Sequence, residues 1–189
     1  MQTSMESNLI SIDDRVQIDS KGLNIYFASK YTVFCRQTAF KLQRDAYSTI
    51  ITEAKQQMPC DPDVIMCCVG RGDLLNGIIH GIENVGWKHV PLVAMETVGA
   101  HSYNTSCLGA LRCSNTAIEN HKKYNIISKT VPDKTAVMAC LKFAAIYGDV
   151  INKLQAEGKL KNIKNALIVV CGGCVSFNTM LKWKNQFDL

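Results

Sequence analysis

The stretch VIMCCVGRGDLLNGIIHGIENVGWKHVPLVAMET, from Val64 to Thr97, decides how this chain folds. Val64 to Val69 is a short unbroken apolar run, the pattern of a strand covered on both faces. From Leu74 the period changes. Leu74, Leu75, Ile78, Ile79, Ile82 and Val85 recur at helical spacing, and Gly86 ends the helix. Val90 to Met95 is a second buried strand. A strand, a helix and a strand in immediate succession predict an α/β domain around a mainly parallel sheet, with helices on both faces.

Working outward, Ser48 to Gln57 reads as a helix with Ile50, Ile51, Ala54 and Met58 on one face, stopped by Pro59, Asp61 and Pro62. Leu23 to Phe27 is a candidate short strand, and the rest of Met1 to Arg44 carries little signal. Between Leu111 and Ile127 the pattern fades again. Lys134 to Ala156 reads as one long helical pattern through Val137, Cys140, Leu141, Ala144, Ile151 and Leu154, stopped at Gly158. Ala166 to Cys171 is a third buried strand, and the residues after Gly173 read as helix to the end.

The chain has 189 residues, 47% of them hydrophobic, enough for one sizeable core. Its net charge of +5 arises from 21 basic and 16 acidic residues scattered along the sequence. The dense basic clusters of nucleic-acid readers are missing, as is any apolar run of membrane-spanning length. Nine cysteines, two of them adjacent at Cys67 and Cys68, suit reduced thiols better than a disulfide framework. The expectation is a cytoplasmic protein without a nucleic-acid or membrane partner.

Two glycine-containing turns fall at strand ends, where ligands bind in parallel sheets. The first, Gly70-Arg71-Gly72-Asp73 with the helix at Leu74, can form an anion site, because free N–H groups of a first helical turn point at a phosphate. An ordinary tight turn fits the same residues. Asp73 is expected at the N-cap, where its carboxylate would take those N–H groups for itself. The second turn holds Cys171 and Cys174 as a CxxC, which leaves a minor redox reading open. His80, His89, His101 and His121 have no partner that spacing identifies.

The residues VGRGDLLNGIIHGIENVGWKHVPLVAMETVGAHSYNTS resemble the serine/threonine dehydratases of the fold type II pyridoxal-phosphate enzymes. That family has a glycine-rich loop and leucine after a strand, a V-P-x-x-A-M-E-T strand end and a G-A-H-S turn. YSTIITEAKQQ before this stretch, and AAIYGDVINKLQAEGKL and IVVCGG after it, match in the same order. The resemblance implies a truncated large domain over residues 45–189, behind an atypical segment over 1–44 that is a remnant of the small domain. It implies a lyase of amino-acid metabolism, eliminating water and ammonia from L-serine or L-threonine to give pyruvate or 2-oxobutyrate. The cofactor would be pyridoxal 5'-phosphate, with Gly70, Arg71, Gly72, Asp73 and Leu74 at its phosphate and Cys171 at its pyridine nitrogen. Gly70, Glu96 and Ala100 match positions that hold a monovalent cation, and a homodimer is the assembly considered.

The departures are as informative. The family's Schiff-base lysine lies in S-x-K-x-R-G, and its substrate-carboxylate loop reads S-S-G-N-x-G; neither occurs before residue 45. Lys21, Lys30 and Lys41 stand in other surroundings, so the catalytic lysine is unassigned. Arg71 and Asp73 replace two loop glycines, and a V-E-P-A-C-G strand is absent between Phe143 and Ala144. The alternative to an enzyme is therefore a catalytically inactive remnant, a pseudoenzyme acting as an interaction module.

Overall fold

A computed structural model of the chain describes residues 16–17, 24–29, 40–98, 113–141, 143–170 and 177–188. The elements in chain order are β1 (Val16–Gln17), β2 (Asn24–Ser29), α1 (Phe40–Gln57), β3 (Val64–Cys68), α2 (Asp73–Val85) and β4 (Leu92–Thr97). They continue with α3 (Asn115–Lys123), β5 (Ile126–Val131), α4 (Asp133–Leu141), α5 (Phe143–Ala156), β6 (Asn165–Val170) and α6 (Phe177–Phe187).

The strands form one sheet in the order β1-β2-β6-β3-β4-β5. Every neighbouring pair is parallel except β1 with β2. The apolar runs sit at its centre because a parallel strand between two others needs cover on both faces. Their side chains alternate between two cores. Ile65, Cys67, Leu92, Ala94, Leu167 and Val169 pack with the apolar residues of α1 and α2. Val64, Met66, Val93, Met95, Ala166 and Ile168 pack with Val150, Ile151 and Leu154 of α5. Helices thus cover both faces, as expected. No helix among the described residues is long and apolar enough to cross a membrane.

Two features depart from the sequence reading. The first helix begins at Phe40 rather than Ser48, so it runs through residue 44, and β2 shares the sheet with the strands that follow. The unreadable stretch after Leu111 contains α3 and β5. The long helical pattern from Lys134, by contrast, is met by two abutting helices, α4 and α5, with no strand described between them, as the missing V-E-P-A-C-G strand implies.

Glycine sets the approach of α1 to α2. A Cβ on Gly77 would lie 2.2 Å from the Cβ of Tyr47, and one on Gly81 would lie 2.7 Å from both the Ile51 Cβ and the Ser48 carbonyl oxygen. Helix α2 therefore lies backbone-close on α1, which fixes the direction of its N-terminus at the end of β3.

Candidate functional site

At the carboxyl end of β3 the chain turns through Gly70, Arg71 and Gly72 into α2. Gly72 has φ of 94°, a left-handed conformation that costs a residue with a side chain about 1–2 kcal/mol. It is also the N-cap of α2, and it offers no side-chain oxygen to the first turn. The expectation for Asp73 is corrected accordingly. Asp73 is the first helical residue, and its carboxylate lies 3.9 Å from Nε of Arg71 rather than at the cap. The reason is steric: a Cβ at position 72 would meet the Ala117 Cβ at 2.6 Å, so only glycine brings the chain into the helix there.

The carbonyls of this turn are all occupied. Cys113 Sγ donates to the Gly70 oxygen at 3.4 Å, the Ser114 N–H to the Arg71 oxygen at 2.8 Å, and the Asn76 N–H to the Gly72 oxygen at 2.9 Å. In a trans peptide the C=O of one residue and the N–H of the next point in opposite directions. The N–H groups of Arg71, Gly72 and Asp73 are thereby turned away from these donors. Those of Leu74 and Leu75, in the first turn, have no intrahelical acceptor. Five backbone donors and the positive end of α2 make this a place for an anion. Asp73 brings a negative charge to it and Arg71, mostly exposed, a positive one.

Glu96, the penultimate residue of β4, is half-buried. By strand alternation it faces the same side as Leu92 and Ala94, toward Cys113. Burial, and secondarily the Glu96 charge, push the Cys113 thiol above its usual range. Gly70, Arg71, Gly72, Asp73, Leu74 and Glu96 therefore gather at one end of the sheet. Ala100, Cys171, Cys174 and His101, and with them the pyridine-nitrogen partner and the CxxC motif, lie outside the described residues, as do Lys21 and Lys30. Lys41 stands in the first turn of α1. His80 pairs with Asp45 at 3.7 Å, which supports a structural role. Among the described residues no three His, Cys, Asp or Glu side chains gather as a metal site.

Sequence reasoning missed Cys113 and Ser114, which hold the turn from behind. Ser114 caps α3, its Oγ accepting from the Ala117 N–H at 3.3 Å. The signal was a serine ahead of a helix-compatible run. A cavity of about 340 Å³ opens at the opposite end of the sheet, between Asp63, Pro91, Asn125 and Lys161; His89 lines it, and none of the residues of the 70–74 turn does.

Over residues 11–172 the chain matches the family described as pyridoxal-phosphate dependent enzyme. It is 32% identical to L-serine dehydratase/L-threonine deaminase of Bos taurus, covering 77% of this chain and 55% of that protein. It is 34% identical to L-serine dehydratase of Dictyostelium discoideum, covering 68% and 47%. The chain thus spans about half the length of the curated relatives it matches. Among solved structures it resembles a fungal L-serine ammonia-lyase from Rhizomucor miehei, with a TM-score of 0.64 at 23% identity over 76% of this chain and 56% of that one. The processed form of threonine deaminase isoform 2 from Solanum lycopersicum gives 0.58 at 14% identity over 75% and 46%. At those identities the likeness is one of fold.

Proposed function

The chain belongs to the pyridoxal-phosphate dependent enzymes, in a serine/threonine dehydratase-like branch, and on that footing we propose that the 70–74 turn holds the phosphate of pyridoxal 5'-phosphate. The observation that carries this reading is the turn whose three successive carbonyls are all engaged on one side. The N–H groups of Arg71, Gly72 and Asp73 are left for a ligand on the other.

When bound, the cofactor would supply an electron sink for a bond broken beside the α-carbon of an amino acid. The residues of this chain would bind and orient: the turn the phosphate, Cys171 the pyridine nitrogen. Gly70, Glu96 and Ala100 are proposed to hold a monovalent cation. The support for it is the Glu96 charge on the Gly70 side of β4, with one Gly70 lone pair taken by Cys113. Serine or threonine is the proposed substrate, by the names of the relatives, with a homodimer the proposed assembly. The division into 1–44, an atypical segment that is a remnant of the small domain, and a core over 45–189 is part of the proposal, with β2 of the first segment paired to β6 of the second. A cytoplasmic location is part of the proposal. Its support is that Cys60, Cys67, Cys68 and Cys113 stand as thiols rather than disulfides.

A second reading, a family remnant without catalysis, is favoured by one specific observation: no S-x-K-x-R-G motif surrounds Lys21, Lys30 or Lys41. An absorbance titration with pyridoxal 5'-phosphate separates the two. A lysine-bound cofactor gives a visible band that borohydride fixes to the chain. Phosphate-loop binding without that band supports the remnant, and the absence of binding overturns the cofactor reading.

A further inference from the structure

We infer that Ser114 is a positioning residue for anion binding at the 70–74 turn, an inference that rests on the phosphate-site reading above. Ser114 makes no approach to the ligand side. Its backbone N–H reaches the Arg71 carbonyl at 2.8 Å from behind the turn. Its Oγ accepts from two helices at once, from the Ala117 N–H of α3 at 3.3 Å and from Nδ2 of Asn76 of α2 at 3.3 Å. Asn76 carries the connection further. Its own N–H closes on the Gly72 carbonyl at 2.9 Å, and its Oδ1 accepts from Nδ2 of Asn120 at 2.9 Å.

Ser114 therefore joins the first turn of α2 to the first turn of α3 through its hydroxyl, and α3 to the carbonyl side of the turn between β3 and α2 through its N–H. Helix α3 buries only Ala117, so it has little apolar packing to hold it in place without this relay. Because a peptide unit is a rigid plane, a carbonyl that swings free swings the N–H on its far side with it. An anion held by several backbone donors depends on their joint aim, so the loss should fall on affinity.

The test is a titration of the full-length, 15N-labelled chain with inorganic phosphate and, separately, with pyridoxal 5'-phosphate. The readouts are the amide resonances of Arg71, Gly72 and Asp73. In the native chain those amides shift and saturate. In Ser114→Ala the dissociation constant rises by about tenfold, near the upper end of what one hydrogen bond contributes. Ser114→Thr keeps Oγ and restores binding. Asn120→Ala, which leaves the α3 cap intact, moves the constant the same way by a smaller factor. Thermal melting of the same samples is the control: a merely structural role lowers the Ser114→Ala midpoint and leaves the dissociation constant of the folded protein unchanged. Native binding with unchanged affinity in Ser114→Ala and Asn120→Ala overturns this inference alone. Amides that respond to neither anion in the native chain overturn the phosphate-site reading, and this one with it.

Discussion

Gly72 and Ala117 meet so closely that a Cβ on Gly72 would stand 2.6 Å from the Ala117 Cβ. The contact is where α3 leans on the turn after β3, and it makes two demands on position 72, a left-handed φ and no side chain. Gly72→Ala should violate both. The conformational part costs about 1–2 kcal/mol, and the clash adds on the order of 1–3 kcal/mol. For a chain of this size that lowers the midpoint of thermal unfolding by roughly 4–15 °C. Gly72→Ala combined with Ala117→Gly removes the clash and leaves the strain, so a double-mutant cycle on melting temperature should return a favourable coupling. Additive effects would mean that the two residues do not press on each other.

The α1–α2 contact yields a comparison among glycines. Gly81→Ala gains about 1 kcal/mol of helix propensity but drives a methyl against Ile51 and the Ser48 carbonyl, an overpacking of about 1–3 kcal/mol. Net destabilisation is expected, larger still for Gly77→Ala, whose Cβ falls 2.2 Å from that of Tyr47. Gly86 has φ of 79° with nothing within 4 Å, so Gly86→Ala should cost the conformational part alone. Denaturant midpoints that rank Gly86→Ala as worse than Gly77→Ala would contradict the close approach.

These contacts mark where sequence reading succeeds and stops. Strands β3, β4 and β6 were legible because burial on both faces leaves them as unbroken apolar runs. Helix α2 was legible because its apolar face is continuous. Helix α3, NTAIENHKK, escaped because it buries a single alanine. Strand β5 escaped because it lies at the sheet edge, where only Ile126 is buried and Lys129 turns to Glu157. The N-cap was misplaced at Asp73 because capping preference is local, whereas Ala117, which demands glycine at 72, is distant in sequence.

Tyr124 donates to a carboxylate oxygen of Glu83, tying the end of α3 to α2, and this bond should give the protein a two-sided pH dependence. The Tyr124 hydroxyl, and then the neighbouring Lys88, hold Glu83 below the ordinary value of 4.5. That contribution is present above 4.5 and is lost as pH falls through the lowered value. The Glu83 carboxylate, and then burial, raise Tyr124 above 10.0, so its contribution is present below 10.0 and is lost as pH rises through the raised value. The stability difference between the native chain and Tyr124→Phe should be widest between those limits and shrink at each end. The alkaline loss should be the steeper, since a phenolate beside Glu83 repels it. Melting curves that stay parallel from acid to alkali would show that the bond contributes nothing.

Asp73 is the residue at which stability and binding should part. As the first residue of α2 its carboxylate stands at the positive end of the helix, which stabilises the fold by about 0.3–1 kcal/mol. The same charge stands beside the N–H groups that the turn leaves for an anion. Like charges at close range near a protein surface repel by on the order of 1–4 kcal/mol. Arg71 lies 3.9 Å away and offsets part of that repulsion only while its exposed side chain stays ordered. Asp73→Asn removes the charge and keeps the shape. It should lower the melting temperature by a degree or two, within what about 0.3–1 kcal/mol allows, while tightening pyridoxal 5'-phosphate binding several-fold. Arg71→Ala should do the reverse on binding, weakening it, with little change in melting because the side chain is mostly solvated. Both variants are to be titrated at low and at high salt. The two shifts should shrink together as salt screens them, since neither residue acts through shape. If Asp73→Asn loses stability and affinity in parallel, the carboxylate is part of the turn's architecture rather than a charge set against the ligand.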